Sequence, residues 1–221
     1  MYAHSDGMRR LALASVLFTI PACATAVTDP PGSAAAPTSL RERLADTTQL
    51  QVTAPASGGQ ITVERHVAEG WEPSLIAFGI ENGELLVSAA ADGVTVEGIQ
   101  VSFAPFALPD GVFTGHEAQL TNVRLDLAHP TTVPAVWTTD DELTIQADLE
   151  LALQWQLQLD GGAPTSLGAP ELPRVPVTIT LTGDGSHVAA DVTARAPGEV
   201  WAWAGLVRLS EFQLDATAAL R

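Results

Sequence analysis

Residues 143–159 read LTIQADLELALQWQLQL, in which every second residue is apolar and most of the residues between are polar. A β-strand points successive side chains to opposite faces, so this period of two predicts an amphipathic strand. A helix would spread the same leucines around its whole circumference. We therefore predict one continuous strand over 143–159, far longer than the usual five or six residues.

Turn sequences separate similar alternating runs along the rest of the chain. Asn-Gly and Asp-Gly pairs tolerate the positive φ angles of tight hairpins. They or related glycine sequences occur at Asn82-Gly83, Asp92-Gly93, Asp110-Gly111, Asp160-Gly161-Gly162 and Gly183-Asp184-Gly185. A short helix is predicted near residues 40–45. The predicted strands lie at about 50–54, 60–67, 74–81, 84–91, 94–104, 117–128, 143–159, 174–182, 186–195, 199–209 and 211–219.

Three runs share a less common pattern, in which the alternation skips one residue and resumes on the opposite parity. Their apolar positions are Val94, Val96, Ile99, Val101 and Phe103; Ala118, Leu120, Val123, Leu125 and Leu127; and Val207, Leu209, Phe212, Leu214 and Ala216. One inserted residue is typical of a β-bulge, because an uncorrected slip would turn every later side chain outward. The alternative is a tight three-residue turn at each skip, with a short strand on either side.

The fold class predicted from these patterns is all-β. We expect an antiparallel β-sandwich or a curved, partly open barrel of about ten long, bulged strands. Bulges are the usual way in which long strands bend so that a sheet can curl around a large core or a groove.

The N-terminus has the layout of a secretory signal peptide. Arg9 and Arg10 precede an apolar run at residues 11–20, which is about half the length needed to span a bilayer. The run ends in Ile20-Pro21-Ala22-Cys23, which resembles the lipobox of bacterial lipoproteins. The resemblance implies that Cys23 is diacylated and becomes the first residue of the mature chain. The alternative is an ordinary signal peptide whose cleavage removes Cys23.

Cys23 is the only cysteine in the sequence, so no intramolecular disulfide can form. Residues 24–39, ATAVTDPPGSAAAPTS, lack periodicity and have the composition of a flexible tether. We therefore predict a signal peptide at 1–22, a lipid-anchored tether at 23–40 and a single all-β domain at 41–221. Alanine rather than aspartate follows Cys23, and by resemblance to enterobacterial lipoproteins this favours the outer membrane over the inner membrane.

The formal net charge of −16 predicts which partners the protein avoids. A strongly acidic surface repels nucleic acid, so we expect no nucleic-acid partner. The partners that remain are the membrane, reached through the N-terminal lipid, and either an envelope protein or an apolar small molecule.

The sequence contains no nucleophile elbow, P-loop or dinucleotide fingerprint. Its histidines are scattered without metal-ligand spacing, and Asp140-Asp141-Glu142 is interpreted as a solvated cap before a strand rather than a calcium loop. Ser186 and His187 are expected to point to opposite faces of the chain. We therefore predict no catalytic residue, no metal and no cofactor.

Three tryptophans are the candidate surface for an apolar ligand or a partner: Trp155, Trp201 and Trp203. Residues 200–209 are largely apolar on both parities, which is typical of a strand covered on both faces. If exposed, Trp201 and Trp203 can stack on a sugar or enter a lipid interface; if buried, they belong to the core.

The function that fits these features is a non-enzymatic binding or structural module of the cell envelope. A carrier that holds a lipid or another apolar ligand inside a curved sheet is the alternative. An enzyme without a recognisable motif is the third hypothesis.

Overall fold

The computed structural model describes residues 37–167, 174–202 and 207–220, with only the backbone described at 167, 197–202, 207 and 209. The predictions for the signal peptide, for Cys23 and for Trp203 therefore lie outside the described residues. So does the predicted tether, apart from its last residues. Trp201 is described by its backbone alone.

The described chain is almost entirely β-structure, which confirms the predicted fold class. Its α-helical content is one short helix, α1 (Leu40–Arg43), at the position predicted for a helix. A 3-10 turn occupies Ala54–Ala56. The strands are β1 Thr48–Val52, β2 Gly58–Val67, β3 Gly70–Ala90, β4 Gly93–Phe103, β5 Phe106–Ala107, β6 Ala118–Leu127, β7 Thr131–Val133, β8 Ala135–Thr139, β9 Glu142–Leu149, β10 Leu151–Leu159, β11 Thr165–Leu167, β12 Val175–Gly183, β13 Val188–Ala202 and β14 Val207–Leu220.

These strands form one antiparallel sheet. Its path runs β11-β10-β6-β4-β3-β1-β14-β13-β12-β9-β8. The strand β2, which comes after β1 in the chain, also pairs with both β3 and β14. The chain itself joins the two ends of this path, because Glu150 alone separates β9 from β10. The sheet therefore curves until its ends approach each other, and its path remains open, which agrees with the expectation of a sandwich or a curved, partly open barrel.

The prediction of one strand over 143–159 is wrong at Glu150, where the segment changes neighbours. β9 pairs with β8 and β12, whereas β10 pairs with β6 and β11. At the division, the amide of Ala128 donates to the Glu150 carbonyl at 2.9 Å. Leu149 and Leu151 are both buried. The alternation thus reports the shared inner face and carries no information about the neighbouring strands.

Bulges occur at all three predicted positions, which excludes the alternative of three-residue turns. The extra residue is Glu97 in β4, Asn122 in β6 and Ser210 in β14, where the pairing with the neighbouring strand shifts. Each strand continues through its bulge. In β4 the buried residues Val96 and Val101 lie on either side of the extra residue, so both halves of the strand contribute to one core.

The turn predicted at Asn82-Gly83 is wrong, because these residues lie inside β3. The two strands predicted at 74–81 and 84–91 are one strand, with a further bulge at Glu81. Gly83 serves close packing instead: a Cβ there would lie 2.8 Å from the Gln100 carbonyl and 3.0 Å from Val52 Cγ2. The sequence alone does not distinguish an Asn-Gly pair whose glycine is needed for a turn from one whose glycine makes room for a neighbouring strand.

The other four predicted turns occur, but the strand limits predicted near the C-terminus are wrong. β13 and β14 replace the strands predicted at 186–195, 199–209 and 211–219. The skip between Leu209 and Phe212 coincides with the boundary between the strands predicted at 199–209 and 211–219. The structure contains the bulge.

The helix α1 covers one end of the curved sheet. Leu40 and Leu44 are fully buried, and the Leu44 carbonyl accepts a hydrogen bond from the Ala89 amide at 2.6 Å. The Arg41 amide donates to the carbonyl of Asp140, in the turn between β8 and β9, at 3.2 Å. We call this end the α1 end. The opposite end, which includes the turn at residues 68–69 between β2 and β3, is the far end.

Truncation of the helix core tests this cap. Leu44→Ala should lower the free energy of unfolding by about 2–5 kcal/mol, because it leaves a cavity at a fully buried site. Arg41→Ala on the same helix is the control and should cost less than about 1 kcal/mol, since its ion pair with Asp140 is exposed. Denaturant unfolding measures both. Equal losses would show that Leu44 does not seal the core.

Deletion of a single bulge residue tests the register. Removing Glu97 would turn the buried Val101 and Phe103 outward, so we expect the variant not to fold. The side chain of Glu97 is exposed and accepts a hydrogen bond from Ser88 Oγ at 2.8 Å. Glu97→Ala should therefore stay within about 1 kcal/mol of the wild type. Circular dichroism and thermal melting distinguish these outcomes, and a folded deletion variant would refute the bulge.

Candidate functional site

The structure places the three predicted tryptophans in different situations. Trp155 lies on β10 with 5% of its surface exposed, so its ring belongs to the core. The backbone of Trp201 lies on β13 opposite Arg208. Trp203 lies outside the described residues. No common tryptophan surface is therefore visible in the described part of the chain.

The inner face of the sheet is unevenly covered. Toward the α1 end many of its side chains are fully buried, among them Val87, Val94 and Leu143. Toward the far end several apolar side chains are only partly buried, among them Ile61 and Ile76, which face each other across β2 and β3. Other inward residues toward the far end, such as Val63 and Leu120, are buried, so the partial exposure is local to this region.

Four phenylalanines form the centre of this incompletely covered region. The Phe78 ring packs edge-to-face on Phe103 at 5.0 Å between centroids and stacks on Phe106 at 5.7 Å and on Phe212 at 6.0 Å. Gly59 makes room for Phe78, because a Cβ at that position would lie 2.6 Å from the ring. Phe78, Phe106 and Phe212 are all partly exposed. We call Phe78, Phe106, Phe212, Ile61 and Ile76 the apolar inner surface.

Sequence reasoning missed the apolar inner surface. Ile76, Phe78 and Phe212 occupy inward positions of alternating runs, so the sequence does predict that they face inward. Their neighbours come from β2, β3, β5 and β14, which are far apart in sequence. Only the pairing of these strands brings the rings together, and no local pattern contains that pairing.

Charged pairs lie beside this region on both faces of the sheet: Arg208 and Glu64 are on the outer face, whereas Arg65 and Glu72 have the inward parity of Ile61 and Ile76. Arg208 forms an ion pair with Glu64, and its guanidinium lies 4.9 Å from the centre of the Trp71 ring. Arg65 donates to Glu72 and to the Asp110 carbonyl, the latter at 2.7 Å. Since these arginines are already paired with carboxylates, they hold β2, β3 and β14 together at the far end.

The expectation that Ser186 and His187 point apart is wrong. Both lie in the loop between β12 and β13 rather than in a strand, and Ser186 Oγ is 2.9 Å from His187 Nδ1. Asp184 Oδ1 accepts hydrogen bonds from Ser186 Oγ at 2.8 Å and from the His187 amide at 2.9 Å. All three residues are exposed. This arrangement is typical of an aspartate that caps a turn.

The remaining polar clusters also connect turns. His116 Nδ1 is 2.6 Å from Asp160 Oδ2, and Asp160 Oδ1 accepts from the Glu117 amide at 3.0 Å. The hydrogen bond from His116 is the largest cause that lowers the pKa of Asp160. Asp140, in the turn between β8 and β9, pairs with Arg41 at 3.2 Å. Within the described residues no group of three histidine, cysteine or acidic side chains has the geometry of a metal site.

Two clefts open on the outer face of the sheet. One has a volume of about 370 Å³ and lies over β2, β13 and β14, where Gln60, Arg195 and Glu211 contribute to its walls. The other has a volume of about 300 Å³ and lies where the bulges of β3 and β6 flank the end of β4. Polar side chains contribute to both clefts, but apolar residues line them as well: Ala196 and Phe212 in the first, and Phe103, Pro105 and Val123 in the second.

Comparison with known proteins gives no match to a family model, to a curated protein or to a solved structure. None of the helical segments in the described parts of the chain has the length and apolar character needed to cross a membrane.

The cap on the loop at residues 184–187 predicts a measurable titration. The hydrogen bond from Ser186 Oγ, followed by those from the backbone amides, lowers the pKa of Asp184 to about 2. Its folded pKa is thus below its ordinary value of 3.8, so the stabilisation is present above pH 3.8 and is lost as pH falls through about 2.

Ser186→Ala should raise the pKa of Asp184 toward its ordinary value, because it removes the largest of these hydrogen bonds. A carbon-detected NMR titration of the carboxyl groups measures the shift, with Asp160 as an internal control that should not move. An unchanged pKa at Asp184 would show that the serine hydroxyl does not bind the carboxylate in solution.

Proposed function

We propose that this chain is a lipid-anchored protein of a bacterial cell envelope whose β-structured body binds a partner and does not catalyse a reaction. The binding surface is the apolar inner surface at the far end. The observation that carries the proposal is the contrast between this surface, with its partly exposed phenylalanines, and the acidic remainder of the chain.

Partly exposed aromatic rings favour binding because each holds a large apolar area that a ligand can cover. Contiguous apolar surface on an otherwise polar protein commonly marks an interaction site. The rings around Phe78 are held by one another and by the strands, so little ordering is lost on binding. An apolar small molecule or an apolar segment of an envelope protein has the chemistry to cover them.

The anchor in this proposal is Cys23, in the outer membrane rather than the inner membrane. Its support is the lipobox resemblance at Ile20-Pro21-Ala22-Cys23 and the composition of residues 24–39. An anchor of this kind would confine the body to the distance that the tether spans from the membrane.

A carrier of lipid is the second candidate, and the aromatic inner wall is the observation that favours it. The wall around Phe78, on β3, faces the interior of the curved sheet rather than solvent beyond the outer face. Acyl chains could lie against such a wall. The two candidates differ in what occupies the apolar inner surface when the protein is isolated from cells.

A fluorescent apolar probe tests the binding surface. The full chain should bind 1-N-phenylnaphthylamine, and Phe212→Ser should weaken this binding about fivefold or more, because an aromatic contact of the bound probe is lost. Leu75→Ser is the matched control: Leu75 is 66% exposed on the outer face of β3 and should not affect binding. Equal effects of both substitutions would contradict the proposal.

Native mass spectrometry with lipid extraction separates the two candidates. Full-length protein purified from bacterial membranes should carry bound lipid beyond its own anchor if it is a carrier, and should lack it if it is a module for a protein partner. The anchor is tested by metabolic labelling with a clickable fatty acid. Label should be incorporated in the wild type and lost in Cys23→Ser, and an unlabelled wild type would refute the anchor.

A further inference from the structure

We propose that the cleft between the two bulges on the outer face is a binding site for a neutral, hydroxyl-rich small molecule, such as a single sugar ring. The site is separate from the apolar inner surface. Its polar walls come from Glu81, Asn82, Ser102, Thr121, Asn122 and Arg124.

The cleft exists because two bulges, one in β3 and one in β6, lie on either side of β4. Asn82 pairs with Ser102, and Ser102 pairs with Arg124, so these three outward side chains form one row across β3, β4 and β6. The extra residues Glu81 and Asn122 lie beside this row. Bulges redirect side chains, and they are common next to functional sites.

Asn122 has a backbone conformation that most residues avoid. Its φ is +50°, in the left-handed region. Asparagine tolerates this region better than most residues do, but a positive φ is uncommon for any residue other than glycine. Here it turns an exposed amide side chain into the cleft, where the Nδ2 group donates to Gln156 Oε1 at 2.5 Å.

Thr121 carries an unsatisfied group at the base of this arrangement. The residue is 8% exposed, and its Oγ1 atom has no hydrogen-bond partner among the described residues. A buried hydroxyl without a partner is costly, so its presence points to a partner that arrives from outside. Thr121 and the exposed Asn122 both line the cleft, so a ligand held there lies next to the residue that carries this hydroxyl.

The charges of the walls decide which ligand fits. An anion is disfavoured by the net charge of −16 and by Glu81, and Arg124 already pairs with Asp126 at 2.7 Å. A metal ion is disfavoured because Glu81 is the one carboxylate among the lining residues. The polar walls disfavour an apolar molecule. A neutral molecule with several hydroxyl groups can donate to Glu81 and Asn82 and accept from Asn122.

The size of the cleft agrees with this ligand class. The cleft volume of about 300 Å³ is at the lower end of the range for small-molecule sites. One sugar ring with its hydroxyl groups occupies a comparable space. Pro105 adds an apolar contact on the wall, which suits the C–H face of a sugar.

Ligand-observed NMR on the full-length protein tests the site, with glucose and N-acetylglucosamine as probes at millimolar concentration. At least one probe should show saturation transfer, and the backbone amides of 81–82, 102 and 121–124 should shift on titration. The absence of binding by both probes would overturn the proposal.

Thr121→Val distinguishes a threonine that binds the ligand from one that only supports the structure. The substitution removes the unpaired hydroxyl and keeps the shape, so the melting temperature should rise by about 2–4 °C while the affinity for the sugar falls at least fivefold. Thr180→Val, on the outward row of β12 and remote from the cleft, is the control and should leave affinity unchanged.

Asn122→Gly is the second variant, because glycine adopts the same positive φ without strain and removes the amide. It should fold normally and bind the sugar less tightly. If both Thr121→Val and Asn122→Gly bind as tightly as the wild type, the sugar binds elsewhere and the proposed site is wrong. A Thr121→Val variant that is less stable than the wild type would show that Oγ1 has a partner in solution, which would also overturn the proposal.

Discussion

The whole architecture depends on keeping one apolar face turned inward along strands that are much longer than usual. β3 has 21 residues and β13 has 15, whereas strands of five or six are typical. Over such lengths the twist of a sheet carries its inner side chains out of alignment with a common core. The bulges at Glu81, Glu97, Asn122 and Ser210 bend the strands and shift their parity. Apolar residues on both sides of the bulges at Glu81, Glu97 and Asn122 therefore pack into the same interior.

The same constraint explains why the two ends of the molecule differ. At the α1 end the helix contributes the fully buried Leu40 and Leu44, and inward residues such as Val87 and Leu143 are also fully buried. At the far end no corresponding helix is present in the described residues, and the phenylalanines around Phe78 remain partly exposed. An interior that is covered at one end and incompletely covered at the other is suited to receiving an apolar group from one direction.

The outer face has a different chemistry, and the bulges link the two faces. A bulge that corrects the inner register places an extra polar residue outside, as at Glu81 and Asn122. Where two such residues lie in neighbouring rows, the outer surface acquires a polar cleft. The bulges thus keep apolar side chains in the core and also create a recess on the outer surface. The apolar inner surface and the polar cleft therefore lie on opposite faces of one sheet.

Much of the fold could be predicted from the sequence, because alternation and skips are local properties. The all-β class, the three bulges and four of the five turns follow from residues that are close together in the chain. The division at Glu150 could not be predicted, since it reflects different neighbours of two halves with the same pattern. The candidate sites could not be predicted either. Phe78, Phe106 and Phe212 meet only through strand pairing, and the cleft at Asn122 depends on two bulges about 40 residues apart in sequence.

The central claim is that the apolar interior is sealed at the α1 end and accessible at the far end. Solvent paramagnetic relaxation enhancement of methyl groups, measured with a neutral water-soluble relaxation agent, tests this most directly. The methyl signals of Ile61 and Ile76 should broaden strongly, whereas those of Leu44 and Leu50 should remain sharp, because the latter two are fully buried. Equal protection of all four residues would contradict the account, as would broadening that is strongest at Leu44.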